Sequence, residues 1–384
     1  MNATRVAVLG AGPAGSAAAI TLARAGAEVT LVDPRPVTGW EPGEGLPAAA
    51  GAVLRGLGVP TDGHLRCSGF LSSWGTDEFR PALLDPRGPS WQLDRAAFNN
   101  GLREAAGPWR PLRLTECRPG TKWTLRFADA PEISVDFLVD ATGRSSAVAR
   151  MLGVRRRTDS SLVGIAALLD DPDPEDAVSI VEAVPHGWWY VSRVPGDRLV
   201  AVLFTDAAIA VRDRLTEPGP WTDVLAATKH AAARVGRPHR SGPGTAAAGP
   251  GPRTAAAGSS APEAATGLDL RTVAAGSTAP EAATGLDLRT VAAGSSALEV
   301  AAGPGWVAAG DAACAHEPLA ARGLHDALTG GIAAAEALIT GTTGDYAARV
   351  AAGYRRYLSE LAWFYRQETR FPGTDFWAAR AAQP

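Results

Sequence analysis

Lysine is nearly missing from this chain. Only Lys122 and Lys229 occur, so almost all of the 37 cationic side chains are arginine, and any chemistry that needs a catalytic amine has two positions to choose from. Cysteine is scarce as well. Cys67, Cys117 and Cys314 are widely spaced and odd in number, with no Cys-x-x-Cys or Cys/His ligand spacing, which excludes a disulfide scaffold and a zinc centre; no metal is expected. The formal net charge of −3 and the pI near 6.1 deny the chain the basic field that phosphate backbones require, so no nucleic-acid partner is expected. No unbroken apolar run reaches about 18 residues, and the start MNATR has neither the charged region nor the apolar region of a secretion signal. The expectation is a cytoplasmic protein with no membrane partner. What is abundant is apolar content: 46% over 384 residues is enough for a large core, as one big domain or two intergrown ones.

Residues 5 to 33, RVAVLGAGPAGSAAAITLARAGAEVTLVD, predict strand, tight turn, helix and strand. The apolar continuity of 6–9 is that of a buried parallel strand, the Ala/Leu-rich segment 14–25 has helix-forming composition, and Gly26 stops it. Further helices are predicted over 48–57 and 95–106, and strands over 110–140, ending in ISVDFLVD. Between 160 and 205 lie SLVGIAALL, AVSIVEAV, WWYVSRVP and RLVAVLFT, separated by Pro, Gly and Asp turns, the pattern of an antiparallel sheet with one covered face. A helical region over 344–368 precedes the closing FPGTDFWAAR.

One segment fits none of this. GSSAPEAATGLDLRTVAA, beginning at Gly258, recurs at Gly276 with the single change Ser260 to Thr278, and a diverged third copy begins at Gly294. Pro and Gly punctuation excludes a continuous helix, and so few units of 18 residues make a poor solenoid. The reading is a tandem duplication that forms a surface loop or an extra hairpin.

Gly10-x-Gly12-x-x-Gly15, with Pro13 and Ala14 inside it and Asp33 eighteen residues after Gly15, carries the chemistry. The glycines allow a tight turn and let the backbone approach a pyrophosphate at a helix N-terminus, where free N–H groups and the helix dipole favour an anion; Asp33 would accept hydrogen bonds from ribose hydroxyls. Alone the motif is weak. Here the strand before it, the helix after it and the acid at the right distance make it a dinucleotide site.

Some 300 residues on stands GWVAAGDAA, with Gly310 and Asp311, followed by Pro318, Gly323 and a predicted helix from Leu324 to 338. By itself Asp311 reads as a turn former. Together with the fingerprint, this stretch resembles the Gly-Asp motif of the para-hydroxybenzoate hydroxylase and tryptophan halogenase superfamily of FAD-dependent monooxygenases. The resemblance implies that Asp311 bonds the ribityl chain of FAD and that the backbone from Pro318 to Leu324 brings N–H groups and a helix end to the flavin, favouring negative charge there. WQLDRAAFNNGL resembles the helix start from which Arg95 reaches FAD, with Asp94 as N-cap, and VDATGRSSAVAR resembles the strand end that brings Gly143 beside the cofactor. The fold it implies is α/β: a Rossmann-like FAD-binding domain of the glutathione reductase type 2 kind over 1–160 and 300–342. This is intergrown with an antiparallel β-sheet substrate domain over 161–299, which holds the repeats at about 258–293. A helical C-terminal segment spans 343–384. With no second G-x-G-x-x-G, electrons are expected from transient NAD(P)H docking or from a partner flavin reductase.

GWEPGEGLPAAAGAVLRGLG (39–58), GHLRCSGFLSSWG, HGWWYVSRVP and ETRFPGTDFWAAR are most similar to a narrower group, the flavoproteins that mature tryptophan-derived quinone cofactors. This resemblance implies hydroxylation of an electron-rich aromatic group, indole or tryptophan on a peptide or protein, by a flavin C4a-hydroperoxide formed with O2. Candidate bases are Glu44, His64 and His316, with Glu317 behind them, although each histidine also reads as a structural imidazole. Trp74, Trp188 and Trp189 would line an aromatic pocket or simply fill the core. Two departures stand out. No lysine lies near the Gly-Glu segment and the Trp-x-Trp-x-Ile-Pro signature is absent, both against halogenation; and Glu317-Pro-Leu-Ala-Ala-Arg-Gly323 replaces the Asp-Pro-Leu-Ser-Gly-x-Gly of many relatives. The alternatives are a halogenase or other flavin oxidoreductase, and a low-turnover flavin-carrying maturation partner.

Overall fold

A computed structural model describes residues 3–35, 40–43, 45–67, 69–81, 88–173, 176–236 and 285–381. Glu44 and the repeats as far as residue 284 lie outside the described residues. Two sheets organise the rest. The first has six strands in the order Ala302–Gly303, Trp306–Ala308, Phe137–Asp140, Arg5–Leu9, Glu28–Val32, Trp109–Arg110. Every neighbouring pair is parallel except the terminal hairpin of Ala302–Gly303 with Trp306–Ala308. Arg5–Leu9 runs through its centre, which is why VAVL is apolar without alternation: a strand covered on both faces has no solvent side.

The register does the work that matters for a site. Leu9 is opposite both Val32 and Asp140, and Asp140 is opposite Ala308, so the turns that follow these strands all leave from one end of the sheet. That is the carboxyl edge, where open α/β sheets hold their ligands. Helix Pro13–Arg24 packs against helix Gly323–Thr340. At their crossing a Cβ on Gly331 would come within 2.1 Å of the Ala14 carbonyl oxygen, so only glycine lets the two backbones lie this close.

The second sheet has seven strands, Leu288–Ala292, Leu162–Asp170, Arg198–Asp206, Gly187–Val194, Val178–Val184, Gly69–Ser73 and Arg80–Pro81. It is antiparallel apart from one parallel pair, Val178–Val184 with Gly69–Ser73. Two features differ from the sequence reading. Gly69–Ser73 lies among the residues expected in the cofactor half yet joins this sheet, and the edge strand Leu288–Ala292 comes from the second repeat copy. One face is covered by helices Ala207–Arg212, Pro218–Ala226 and His230–Val235; Trp221 Nε1 donates to the Ile165 carbonyl at 3.0 Å, and Glu182 accepts the N–H groups of Lys229, His230 and Ala231. Trp188 and Trp189, at 1% and 0% exposure, are core: the first stacks on Phe204 and the second meets Trp221 edge-on. The chain closes with helices Thr343–Arg366 and Asp375–Ala381, tied back by Trp377 Nε1 to the Val184 carbonyl and by Arg380 to both Asp206 oxygens. Among the described residues no helix is long and apolar enough to cross a membrane.

Candidate functional site

Three turns meet at the carboxyl edge of the parallel sheet. Gly10 has φ +106°, and a Cβ there would lie 2.1 Å from the Ala141 carbonyl oxygen; a Cβ on Gly15 would lie 1.8 Å from the Gly10 carbonyl oxygen. Gly10 and Gly15 are thus demanded by packing. Gly12 is different: a Cβ there would meet nothing within 4 Å, and Gly12 is the N-cap of the Pro13–Arg24 helix with no side chain capping it. The opening N–H groups of that helix therefore have no side-chain cap, as a pyrophosphate site requires, and Pro13 at the first helical position needs no N–H of its own.

Asp33, at the end of the Glu28–Val32 strand, is fully buried. Its carboxylate accepts from Ala11 N and Arg35 N, each at 2.9 Å, and from the Arg103 guanidinium at 3.3 Å. Burial alone would raise this carboxyl, but the bonds and charge of Arg35 and the Ala11 N–H outweigh it and hold Asp33 below the ordinary carboxylate value, ionised and pinned to the fingerprint turn. Arg103 is a residue that sequence reasoning missed. It is buried, donates to the Ala11 carbonyl at 3.0 Å and the Arg35 carbonyl at 3.2 Å, and lies 4.7 Å over the Trp109 ring.

The late glycine-rich turn arrives beside the early one. Gly310, at φ +59°, opens the short 3-10 turn Gly310–Ala312, and a Cβ on it would come within 2.7 Å of the Ala14 Cβ. Asp311 follows, 43% exposed in its side chain, with Arg144 Nε 3.6 Å from its Oδ2. Arg144 extends from the turn that begins at Gly143, φ +66°, and also donates to the Gly294 and His316 carbonyls. Half-buried Arg156 holds the other side through the Asp311 carbonyl at 2.8 Å and the Ala312 carbonyl at 3.0 Å. The Gly310–Asp311 turn thus lies against the helix that follows Gly12, which puts an uncapped helix end and a part-exposed carboxylate on neighbouring turns. These residues fit a dinucleotide.

Pro318 starts the 3-10 turn Pro318–Ala320, Gly323 starts the long helix, and Leu324 is buried in the apolar cluster with Leu46 and Leu54. Ala321, between them, sits in the left-handed region at φ +49°. Asp94 caps its helix by accepting from Ala97 N at 2.9 Å, and Arg95 donates to the Gly43 carbonyl at 2.6 Å, next to the segment that holds Glu44. His64 accepts the Asp94 N–H at 3.3 Å and meets Phe98 edge-on; burial, against the pull of Asp94, keeps it below the ordinary histidine value.

His316 is held differently. Burial would lower its pKa, but the carboxylate of Asp326, 3.5 Å from Nδ1, and the Cys314 thiol raise it to about 9, so near neutrality the ring is an imidazolium. Its neighbour Glu317 is 3% exposed and accepts from the Ser160 and Tyr365 hydroxyls, each at 2.5 Å; burial raises its carboxyl despite those bonds and the nearby Arg380 charge. Across from this loop, a Cβ on Gly45 would lie 3.7 Å from the Ala321 Cβ and 3.8 Å from the Tyr190 hydroxyl. Tyr190 donates to Gln92 at 3.2 Å, Gln92 donates to Ser179 at 3.0 Å, and Ser179 is 2.7 Å from Ser192. The seven-stranded sheet therefore turns a polar and aromatic face toward the loop. Strand alternation in HGWWYVSRVP assigns Tyr190 to one face with Trp188, which is signal enough to separate it from Trp189, but not to say what the face looks at.

Comparison with known proteins agrees with this geometry. The FAD dependent oxidoreductase family matches at residues 5–45. LodB of Marinomonas mediterranea, described as an FAD-dependent oxidoreductase, is 29% identical over 240 residues, 58% of this chain and 65% of that protein. The match therefore spans less than two thirds of that relative. Among solved structures, CmlS, a flavin-dependent halogenase, superposes with a TM-score of 0.73 at 22% identity, covering 100% of this chain and 68% of that one. QhpG, a peptidyl tryptophan dihydroxylase essential for tryptophylquinone cofactor biogenesis, gives 0.71 at 22% identity over 100% and 80% of the two chains. The fingerprint turn and the late Gly-Asp turn are thus gathered at one sheet edge in a fold like that of these flavoproteins, and the chain is similar to the FAD-dependent oxidoreductases over residues 5–45.

Proposed function

We propose that this oxidoreductase is a monooxygenase that hydroxylates an electron-rich aromatic ring, an indole or tryptophan presented on a peptide or protein. The observation that carries the reading is the meeting of Gly45, Ala321 and the Tyr190 hydroxyl, which sets the Gly-Glu segment (the entrance segment, 39–58), the late loop after Asp311 and the aromatic sheet face against one another. Bound FAD, reduced by NAD(P)H or by a partner flavin reductase, would supply an electrophilic oxygen from O2. The chain's own residues do the rest. The helix end at Gly12 would hold the pyrophosphate and Asp311 the ribityl hydroxyls, buried Asp33 fixes the fingerprint turn rather than reaching the adenosine ribose expected from the sequence, and Arg95 braces the Pro42–Gly43 turn that leads to Glu44. Tyr190, held by buried Gln92, orients the ring, and the sheet behind it keeps water away, which matters because a reactive oxygen is lost where solvent enters. Glu44 is the proposed proton acceptor. His316, already carrying its proton, sets a positive charge beside the loop, and His64 steadies the start of the helix that bears Arg95.

The names of similar proteins support a tryptophan substrate, since QhpG acts on peptidyl tryptophan. Halogenation is the weaker reading. Lys122 is 2.8 Å from Asp136 and Lys229 is 3.1 Å from Glu78, the second on the helix-covered side of the sheet, so neither amine faces the entrance segment. The test combines the FAD-loaded protein, a flavin reductase and NADH with indole-bearing peptides and with free tryptophan, with and without bromide, and reads product mass. Gain of oxygen on the peptide is the expected result. Gain of bromine, loss of hydrogen, or no change on any substrate would each reject the proposal.

A further inference from the structure

None of those roles uses the outer face of the Thr343–Arg366 helix. Its inner face buries Tyr354, Leu361 and Tyr365, while Arg356, Glu360, Trp363 and Gln367 follow one another at helical spacing on the exposed side. Trp363 is 54% exposed and its neighbour Phe364 46%, and their rings meet edge-on at 5.1 Å, so two aromatic surfaces form one open corner. Water against contiguous aromatic surface is unfavourable, and such a patch marks a surface that a partner covers. The place of the corner points to which partner. The Phe364 carbonyl accepts Trp74 Nε1 at 3.0 Å, and Arg322, the residue after Ala321, reaches Glu360 with Nη1 at 3.4 Å. The corner therefore borders the loop that meets Gly45 and Tyr190 at Ala321. Its charge points to the chemistry. Residues 355–367 hold Arg355, Arg356 and Arg366 against one acid, Glu360, which Arg322 and Arg356 already share. Arg356 is 74% exposed in its side chain, and among the described residues the exposed Arg355 and Arg366 have no acidic partner.

We propose that the Trp363–Phe364 corner docks a carboxylate-rich segment with an apolar anchor residue, on the same polypeptide that presents the aromatic ring. The apolar side chain fills the angle between the two rings, and the carboxylates beside it pair with Arg355, Arg356 and Arg366. Arginine suits this use, because its planar fork meets a carboxylate through two parallel N–H groups. Docking here holds the polypeptide at the edge of the loop. A ring elsewhere on it then reaches the site as an attached group, at a high effective concentration, rather than as a free molecule. That the ring is carried on a polypeptide is taken from the proposed function; docking itself needs no turnover and is measured apart from it.

The FAD-loaded full chain is titrated into short fluorescein-labelled peptides that lack indole, and binding is read by fluorescence anisotropy. One peptide has glutamates around a central Leu-Phe pair; its counterparts carry glutamine or lysine in place of glutamate. The glutamate peptide is expected to bind at least about 10-fold more tightly than either counterpart, and to weaken as salt is added. Trp363→Ala and Arg356→Glu are each expected to weaken it about 10-fold, the effect of losing an interface anchor. Val211→Ala, at a 72% exposed apolar residue elsewhere, is expected to change nothing. All three positions are exposed, and flavin absorbance with the melting temperature shows that each variant is folded. Equal binding of the three peptides, or a folded Trp363→Ala that binds like the parent, would overturn the proposal. So would another occupant: a dimer in sedimentation velocity, or binding to phosphatidylserine vesicles, that Trp363→Ala abolishes. Peptide docking with no gain of oxygen on any substrate would reject the monooxygenase and keep the docking surface; gain of oxygen without docking would do the reverse.

Discussion

Ala321 is the clearest case of a residue at odds with its backbone. Its φ of +49° and ψ of +30° are left-handed, a conformation that costs an L side chain roughly 1–2 kcal/mol and glycine almost nothing. The position lies in the very stretch where Ala-Ala-Arg replaces the Ser-Gly-x of many relatives, so the loop keeps a glycine's geometry without the glycine. Replacing Ala321 with Gly should raise stability by about 1 kcal/mol, less whatever entropy the unfolded chain regains, and differential scanning calorimetry reads the result as a higher melting temperature. A lower melting temperature would mean that the methyl group's contact toward Gly45 outweighs the strain. Asp311 offers the complementary test. Its side chain is 43% exposed and its backbone carbonyl, not its carboxylate, takes the Arg156 bond, so Asp311→Asn should spare the fold while weakening FAD binding. Losing a charged acceptor to ligand hydroxyls is worth about 1.5–3 kcal/mol, or roughly 10- to 100-fold in dissociation constant by flavin fluorescence titration.

Elements that announce themselves locally were legible; those defined by distant partners were not. The apolar run 6–9, the Asp94 cap and the Arg95–Ala106 helix all carry their cause within a few residues, and the structure has them where periodicity and capping put them, whereas ISVDFLVD is split at Asp136 into Ile133–Val135 and Phe137–Asp140 in two different sheets. Gly69–Ser73 carries no such cause. Its parallel pairing with Val178–Val184 joins segments more than 100 residues apart in sequence, and no local pattern in GFLSS says which sheet it will join. Arg103 was illegible for a related reason: an arginine inside an amphipathic helix reads as a solvated face until Asp33 and Trp109 are known to lie against it. The joint between the Cys314–Ala315 strand and the Gly323–Thr340 helix gives a pH prediction. The imidazole of His316 is raised from 6.5 to about 9, so its pairing with Asp326 contributes stability that is fully present below about 6.5 and is lost as pH rises through about 9. The contribution is on the order of 3 kcal/mol, so the melting temperature should fall between those pH values and His316→Gln should flatten the fall.

At the scale of the whole molecule, the open matter is what the duplicated 18-residue unit adds. The second copy builds the edge strand Leu288–Ala292 along Ala167–Val163, and its Arg289 donates to the Trp40 carbonyl and lies over the Trp40 ring, which fastens the far sheet to the entrance segment. The third copy begins with a fixed residue, since a Cβ on Gly294 would come within 2.2 Å of the Ser160 carbonyl oxygen. The first copy repeats the second with one change, so deleting 258–275 or deleting 276–293 leaves chains that differ only in Ser or Thr at one position. Either single deletion keeps one LDLRTVAAGS to supply the edge strand. Shortening a long connection by 18 residues changes its closure entropy by less than about 1 kcal/mol, so both should melt within a few degrees of the parent and retain FAD alike. Deleting 258–293 removes the edge strand and the Arg289 tie together, and should cost about 2 kcal/mol or more along with part of the flavin affinity. If that double deletion melts and binds flavin like the single ones, the edge strand carries no stability, and the tie between Arg289 and Trp40 is a contact without consequence for the site.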